Sequence, residues 1–194
     1  MFSVEIIASG SEILSGQVLD TNTHWVCVQV TGMGGRVERA HILADSEAAI
    51  AETLRAARRR KPDSILTFGG LGPTADDLTL FGVARAMNRD IALHPEAREW
   101  VRARYEELAR QGAVESAEMT PPREKMAYLP SGAEPLPNAV GTAPGVRIVE
   151  EDGEVVSLPG VPAEMRSIFE ESVAPRWRER FGAAGFSLRE VLAE

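Results

Sequence analysis

Ser64-Ile65-Leu66-Thr67-Phe68 runs without a break into Gly69-Gly70-Leu71-Gly72-Pro73-Thr74-Ala75-Asp76-Asp77, and no other stretch constrains the fold as tightly. The first five residues read as a central strand buried on both faces. Three glycines in four residues then let the backbone reach positive φ and pass close to another group. Leu80, Val83, Ala84 and Met87 follow at three- and four-residue spacing, the apolar stripe of a helix. A strand, a glycine loop and a helix in direct succession belong to a parallel crossover unit.

The rest of the chain repeats that alternation. Val4 to Ala8 reads as a first buried strand ending in Ser-Gly. Thr21 or Asn22 is placed to cap a helix reaching about Val30, and Arg36 to Leu43 alternates as a second strand. Asp45 or Ser46 caps a helix with Ile50, Leu54 and Ala57 on one face. His94-Pro95 opens a long amphipathic helix through Gln111. Met126 to Leu129 is a short strand candidate within a Pro-rich stretch. Asp152-Gly153 between Val146–Glu150 and Val155–Leu158 signals a hairpin, and Ala163 to Val173 a last helix. The expected fold class is α/β, a mostly parallel sheet covered on both faces, with a small C-terminal hairpin and helix region. The expected organisation is a single domain over residues 1–175 and a tail over 176–194.

The length of 194 residues and a 44% hydrophobic content suit one domain that folds without disulfides. Cys27, the single cysteine, lies in an apolar run and reads as a small core residue. The N-terminus lacks a basic leader, and no apolar stretch nears the roughly 20 residues that span a bilayer. A soluble, cytoplasmic protein with no membrane partner is therefore expected. Lys and Arg total 21 against 29 Asp and Glu, a formal charge of −8 that repels a phosphate backbone. The one dense basic run, Arg58-Arg59-Arg60-Lys61, closes a helix before Pro62 and has no interleaved aromatics. Nucleic acid is not expected as a partner.

In parallel sheets ligands gather beyond the carboxyl ends of the strands. The helix after the glycine loop is expected to start near Asp77, so that its free N–H groups serve a phosphate. The loop is not a Walker A, because no Gly-Lys-Ser/Thr follows, nor a dinucleotide fingerprint, because Ala75 replaces the third glycine. Asp76 and Asp77 repel each other unless solvated, hydrogen-bonded or bridged by a cation. Beside a phosphate cradle they suit Mg2+, with Asp77 the principal ligand and Asp76 its partner or a cap. Glu12, Asp20, Asn22 and Asp45 also follow strands and should share that rim. Asn138 to Gly145 is a small-residue loop able to cover a ligand or form plain turns. His24, His41 and His94 lack metal-ligand spacing, and nothing suggests a nucleophilic triad.

These motifs together resemble the N-terminal domain of the CinA (competence/damage-inducible protein) family, a branch of the MoaB/MogA molybdopterin-binding fold. The matching pieces are Gly10 to Gly16, Asp20-Thr21-Asn22, Asp45, Gly69 to Thr79, Lys125 to Pro130, Asn138 to Gly145 and Leu158 to Met165. The resemblance implies a three-layer α/β/α domain. It implies Glu12, Asp45 and Asp77 as the acidic catalytic set. Gly69, Gly70, Gly72, Thr74, Asn22, Lys125, Asn138 and Gly141 would contact or shape a small phosphorylated, nucleotide-like ligand. The activity implied is divalent-metal-dependent hydrolysis of a nucleotide diphosphate of the ADP-ribose type. Mg2+ or Co2+ would be held at Asp77 and Asp76, with K+ a further candidate. The alternative is a non-catalytic module that holds molybdopterin or a nucleotide. A homodimer or homotrimer is implied. Ser11 stands where many relatives carry Asp, and Met126 where they carry Gln. The amidohydrolase domain of long CinA proteins is absent from this sequence, and Ala184 to Glu194 read as a remnant of the join to it.

Overall fold

The computed structural model describes residues 1–182. Six strands form the main sheet in the order β2-β1-β3-β8-β7-β6. They are β1 (Ser3–Ser9), β2 (Arg36–Leu43), β3 (Ser64–Phe68), β6 (Glu134–Leu136), β7 (Gly145–Glu150) and β8 (Gly153–Leu158). β2, β1, β3 and β8 run parallel, β7 pairs antiparallel with β8, and β6 antiparallel with β7 completes the far edge. The sheet is thus mostly parallel, as the alternation of the sequence requires.

Strand alternation sends neighbouring side chains to opposite faces. Ile7, Ile65 and Val155 enter one core with α3 (Glu47–Arg59), α4 (Thr79–Met87) and Ala97 and Val101 of α5 (Pro95–Arg110). Val4, Ile6, Leu66, Phe68, Val156 and Leu158 enter the other. There they meet α2 (Thr21–Gly32), α7 (Pro162–Ile168) and α8 (Ala174–Phe181). Two cores on the two faces of one sheet make three layers. Cys27 packs partly against the second core, and burial, with Asp20 adding to it, pushes its thiol pKa up. Among the described residues no helix is long and apolar enough to cross a membrane.

Several sequence expectations shift. Asp20, not Thr21 or Asn22, caps α2 by accepting from the Thr23 N–H at 2.9 Å. Ser46, not Asp45, caps α3. α4 begins at Thr79, two residues beyond Asp77. The strand expected from Met126 is β5 (Tyr128–Pro130), and it pairs with β4 (Ile91–Leu93) outside the main sheet. α1 (Ser11–Leu14) and α6 (Pro121–Lys125) are short helices without an apolar period long enough to see. The last helix does not stop at Val173. A π-helical turn, Phe169–Val173, carries it into α8. Pro175 accounts for the turn, since it lacks an N–H and its ring crowds the carbonyl four residues back. The boundary expected at 175 therefore falls inside a helix whose Trp177 is buried in the second core. The proposed remnant at 184–194 lies outside the described residues.

Candidate functional site

The parallel strands end along one rim, and hydrogen bonds tie their following loops together. Gly10 N–H donates to Leu43 O at 3.0 Å, joining the ends of β1 and β2. Gly69 N–H donates to Leu158 O at 3.1 Å, joining β3 to β8. Between the loops lies a cleft of about 1010 Å³, lined by Glu12, Asn22, Asp45, Gly69, Gly70, Gly72, Asp76 and Asp77 among others. These eight, with Asp20 of the same expected rim, thus converge.

Two glycines are dictated by the loop's path. Gly69 has φ +89°, and a Cβ there would collide with the Ser9 carbonyl oxygen. Gly70 has φ +63°, and a Cβ there would lie 2.5 Å from Thr79 Oγ1. The glycines thus hold β3's exit against β1 and α4. Asp77 Oδ2 accepts from Thr74 N–H at 2.7 Å and Thr74 Oγ1 at 2.6 Å, closing the turn 74–77. The N–H groups of Gly70, Leu71, Gly72, Ala75 and Asp76 meet no acceptor among the described residues. Such a run of free donors on a tight loop is what an anionic oxygen requires.

The acids divide by how they are spent. Asp45 accepts from Ser9 Oγ at 2.8 Å through Oδ1, and from Ser11 N–H and Oγ at 2.9 Å through Oδ2. Burial would raise its pKa, but the bonds from Ser11 and Ser9 outweigh it and hold the carboxyl below its ordinary value. Ser11 is therefore a clasp on Asp45. Glu12 folds back over Gly10, where a Cβ would sit 2.7 Å from its carboxylate. Asp20 serves α2 as its cap. Asp76 is exposed. Among the described residues no three His, Cys, Asp or Glu side chains cluster closely enough to hold a metal ion. The pair expected at Asp76 and Asp77 is thus no complete protein cage. It fits Mg2+ or Co2+ only as one or two carboxylates completed by ligand oxygens.

Four expected contacts do not line the cleft. Thr74 faces Asp77, and Lys125 Nζ donates to the Thr74 carbonyl. Asn138 spends both ends of its amide. Its nitrogen donates to Ala143 O at 2.8 Å and Glu164 Oε2 at 2.7 Å, and its oxygen accepts from Val140 and Gly141 N–H. Gly141 is where the Glu164 carboxylate packs, leaving no room for a Cβ. This loop reaches the cleft through Thr142 and Ala143 instead. Sequence reasoning missed Glu164, which lines the cleft from the first turn of α7. Its place in the loop after β8 was the available signal. The basic run is likewise spent at home, with Arg58 on Glu150, Arg60 on Glu5 and Lys61 on Asp152.

Residues 5–179 match the family described as a probable molybdopterin binding domain. The chain belongs to this family. Relatives of this molybdopterin-binding-type domain include Protein PH0439 of Pyrococcus horikoshii, 40% identical over 91% of this chain and 69% of that one. Another, from Aeropyrum pernix, is 44% identical over 90% of this chain and 62% of that one. Among solved structures, the protein CinA of Thermoplasma acidophilum, of unknown function, superposes with a TM-score of 0.78 at 33% identity. That match covers 87% of this chain and 94% of the CinA chain. The tungsten cofactor synthesizing protein MoaB of Pyrococcus furiosus shares the fold at a TM-score of 0.58 and 17% identity, over 94% and 97%. The domain is therefore CinA-like within the MoaB/Mog fold, as the motifs suggested.

Proposed function

We propose that this domain binds a phosphorylated ligand, molybdopterin or a nucleotide, in the cleft beyond β1, β2, β3 and β8, and holds it without cleaving it. The observation that carries this reading is the glycine loop, whose free N–H groups border a cleft large enough for a nucleotide-sized molecule. The family membership supports the same ligand class. The state of the acids supports holding over hydrolysis. Asp45 is saturated by serine donors, and Asp77 closes its own turn.

A second reading is metal-dependent hydrolysis of a nucleotide diphosphate such as ADP-ribose. It is favoured by the presence of Glu12, Asp45, Asp76 and Asp77 in one cleft. In that reaction a water oxygen joins one phosphorus, the bridging P–O bond breaks, and AMP leaves with ribose 5-phosphate. A bound Mg2+ or Co2+ would neutralise the diphosphate and polarise its phosphorus. Asp77 and Asp76 would anchor the cation, and Glu12 or Asp45 would orient the water.

Titration of the purified chain with molybdopterin and ADP-ribose, each with and without Mg2+ or Co2+, separates the two. Saturable binding with no AMP formed is the expected result. AMP release that depends on metal and falls by orders of magnitude in Asp77→Asn would select hydrolysis. No binding of either ligand would reject both.

A further inference from the structure

Among the described residues lining the cleft, Asn22 alone has a buried side-chain polar atom without a partner. The residue is 8% exposed, and it lines the cleft from the first turn of α2. The amide nitrogen donates to Gly160 O at 2.8 Å. That bond fixes the orientation, because reversing the amide would press two oxygens together. Oδ1 then meets no donor among the described residues. A buried acceptor without a partner is costly and rare. The acidic groups and free amides of the glycine loop need no such acceptor, so it serves a different part of the ligand.

The surroundings say which part. Val18, Leu19 and Val161 line the same cleft and are 51%, 81% and 53% exposed, and Pro162 adjoins them. Large apolar side chains left in solvent at one mouth of a cleft mark a surface that a ligand covers. The cleft is therefore bipartite, with amides and carboxylates at the glycine loop and an apolar lip at the start of α2 and α7. An oxygen acceptor beside an apolar lip suits a flat ring bearing an N–H, whose face covers the lip while its edge donates. A sugar hydroxyl would satisfy Oδ1 and leave the lip wet.

We propose that Asn22 Oδ1 and the lip formed by Val18, Leu19, Val161 and Pro162 are a ring subsite selecting heteroaromatic ligands that present an exocyclic amino group. Adenine, guanine and pterins share that chemistry. The inference rests on the cleft being the ligand site proposed above. Oδ1 is itself out of solvent contact, so the proposal requires the groups over it to give way when a ring binds.

The test is calorimetric titration of the whole chain with two ligand pairs and one ring-free control. ADP is compared with purine riboside diphosphate, GDP with inosine diphosphate, and inorganic pyrophosphate serves as the control. In each pair the second member lacks one exocyclic amino group. Wild type is expected to favour the amino-bearing member of at least one pair by about tenfold, the worth of one buried hydrogen bond. That preference should vanish in Asn22→Leu, and Leu19→Ser should weaken all four ring ligands alike. Pyrophosphate should bind wild type, which marks the anionic half of the cleft as separate from the ring subsite. Equal binding within both pairs by wild type overturns the ring subsite, and this arm does not depend on any variant folding. So does a preference that survives Asn22→Leu. If wild type binds neither pyrophosphate, nor any of the four nucleotides, nor molybdopterin, the ligand-site reading itself fails, and the subsite with it.

Discussion

Gly69 and Asp45 show how single residues set the shape of the cleft. A side chain at Gly69 meets both an unfavourable φ and the Ser9 carbonyl, a backbone atom that cannot swing aside. Gly69→Ala should therefore cost about 3 kcal/mol in denaturant unfolding, one strained backbone plus one clash, and weaken ligand binding with it. Asp45 acts through charge. Its folded pKa is lowered, so its contribution to stability is complete above the ordinary 3.8 and is lost as pH falls through the lowered folded value. Asp45→Asn should cost about 1 kcal/mol at neutral pH and flatten the fall in stability below pH 4, as read from denaturation midpoints in a pH series. Which residues would face the cleft was legible only in part. Position after a strand brings Glu12, Asn22, Asp45 and the glycines to the cleft, because the sheet's topology alone decides that. Asn138, Gly141, Thr74 and Lys125 do not line it, because each is held by a partner that is distant or hidden in a turn. Asn138 answers to Glu164, 26 positions away.

The elements carry a second layer of electrostatics, away from the cleft. Glu5 lies in the middle of β1 with a side chain wholly out of solvent. Arg60, the C-cap of α3, grips it through Nε at 2.6 Å and a terminal nitrogen at 2.5 Å, while Arg39 and His41 of β2 lie 3.5 and 3.8 Å off. Burial pushes the Glu5 pKa up, but the Arg60 bond and the neighbouring charges carry it below its ordinary 4.5. The network fastens the outer strand to the helix that follows it. Arg60→Ala should cost about 3 kcal/mol, since it strands a buried carboxylate. Replacing both partners by leucine should cost less than the sum of the single changes, a non-additivity measurable by a double-mutant cycle. Equal single and summed costs would show that the pair is not a unit. The elements themselves were legible where they are long or buried on both faces. β2 and β3 fall where their patterns ended, and α5 does too, with His94 and Gln111 as its caps. β4 and β6 were invisible because three residues are too few for a period to show. Glu5 lies within a strand read as buried and Arg58–Lys61 reads as a helix end, and only the tertiary fold brings Glu5 and Arg60 together.

At the scale of the molecule, two cores share one sheet, and the second depends on the last helix. Trp177 is 1% exposed, packs edge-on against Phe2 and Phe169, and donates through Nε1 to the buried Glu154 of β8. Phe181 stacks on Phe2 with ring centroids 4.5 Å apart. The C-terminal helix therefore closes the core beneath the N-terminal strand, and the family match runs through residue 179 accordingly. The sequence pattern missed this because Pro175 reads as a helix stop, whereas a π-helical turn absorbs it and the helix resumes. Trp177→Ala should cost about 3 to 5 kcal/mol. A chain ended after residue 175 should unfold at a markedly lower denaturant concentration than one ended after residue 182, with the same cooperative transition if it folds at all. Removing α8 uncovers Phe2 and Phe169 and strands the Glu154 carboxylate, while leaving the cleft residues in place. Loss of ligand binding by the shorter chain should therefore follow its loss of folding, and addition of a tight ligand should recover part of both by mass action. Identical unfolding midpoints for the two chains would show that the domain ends at 175 and that α8 is an appendage.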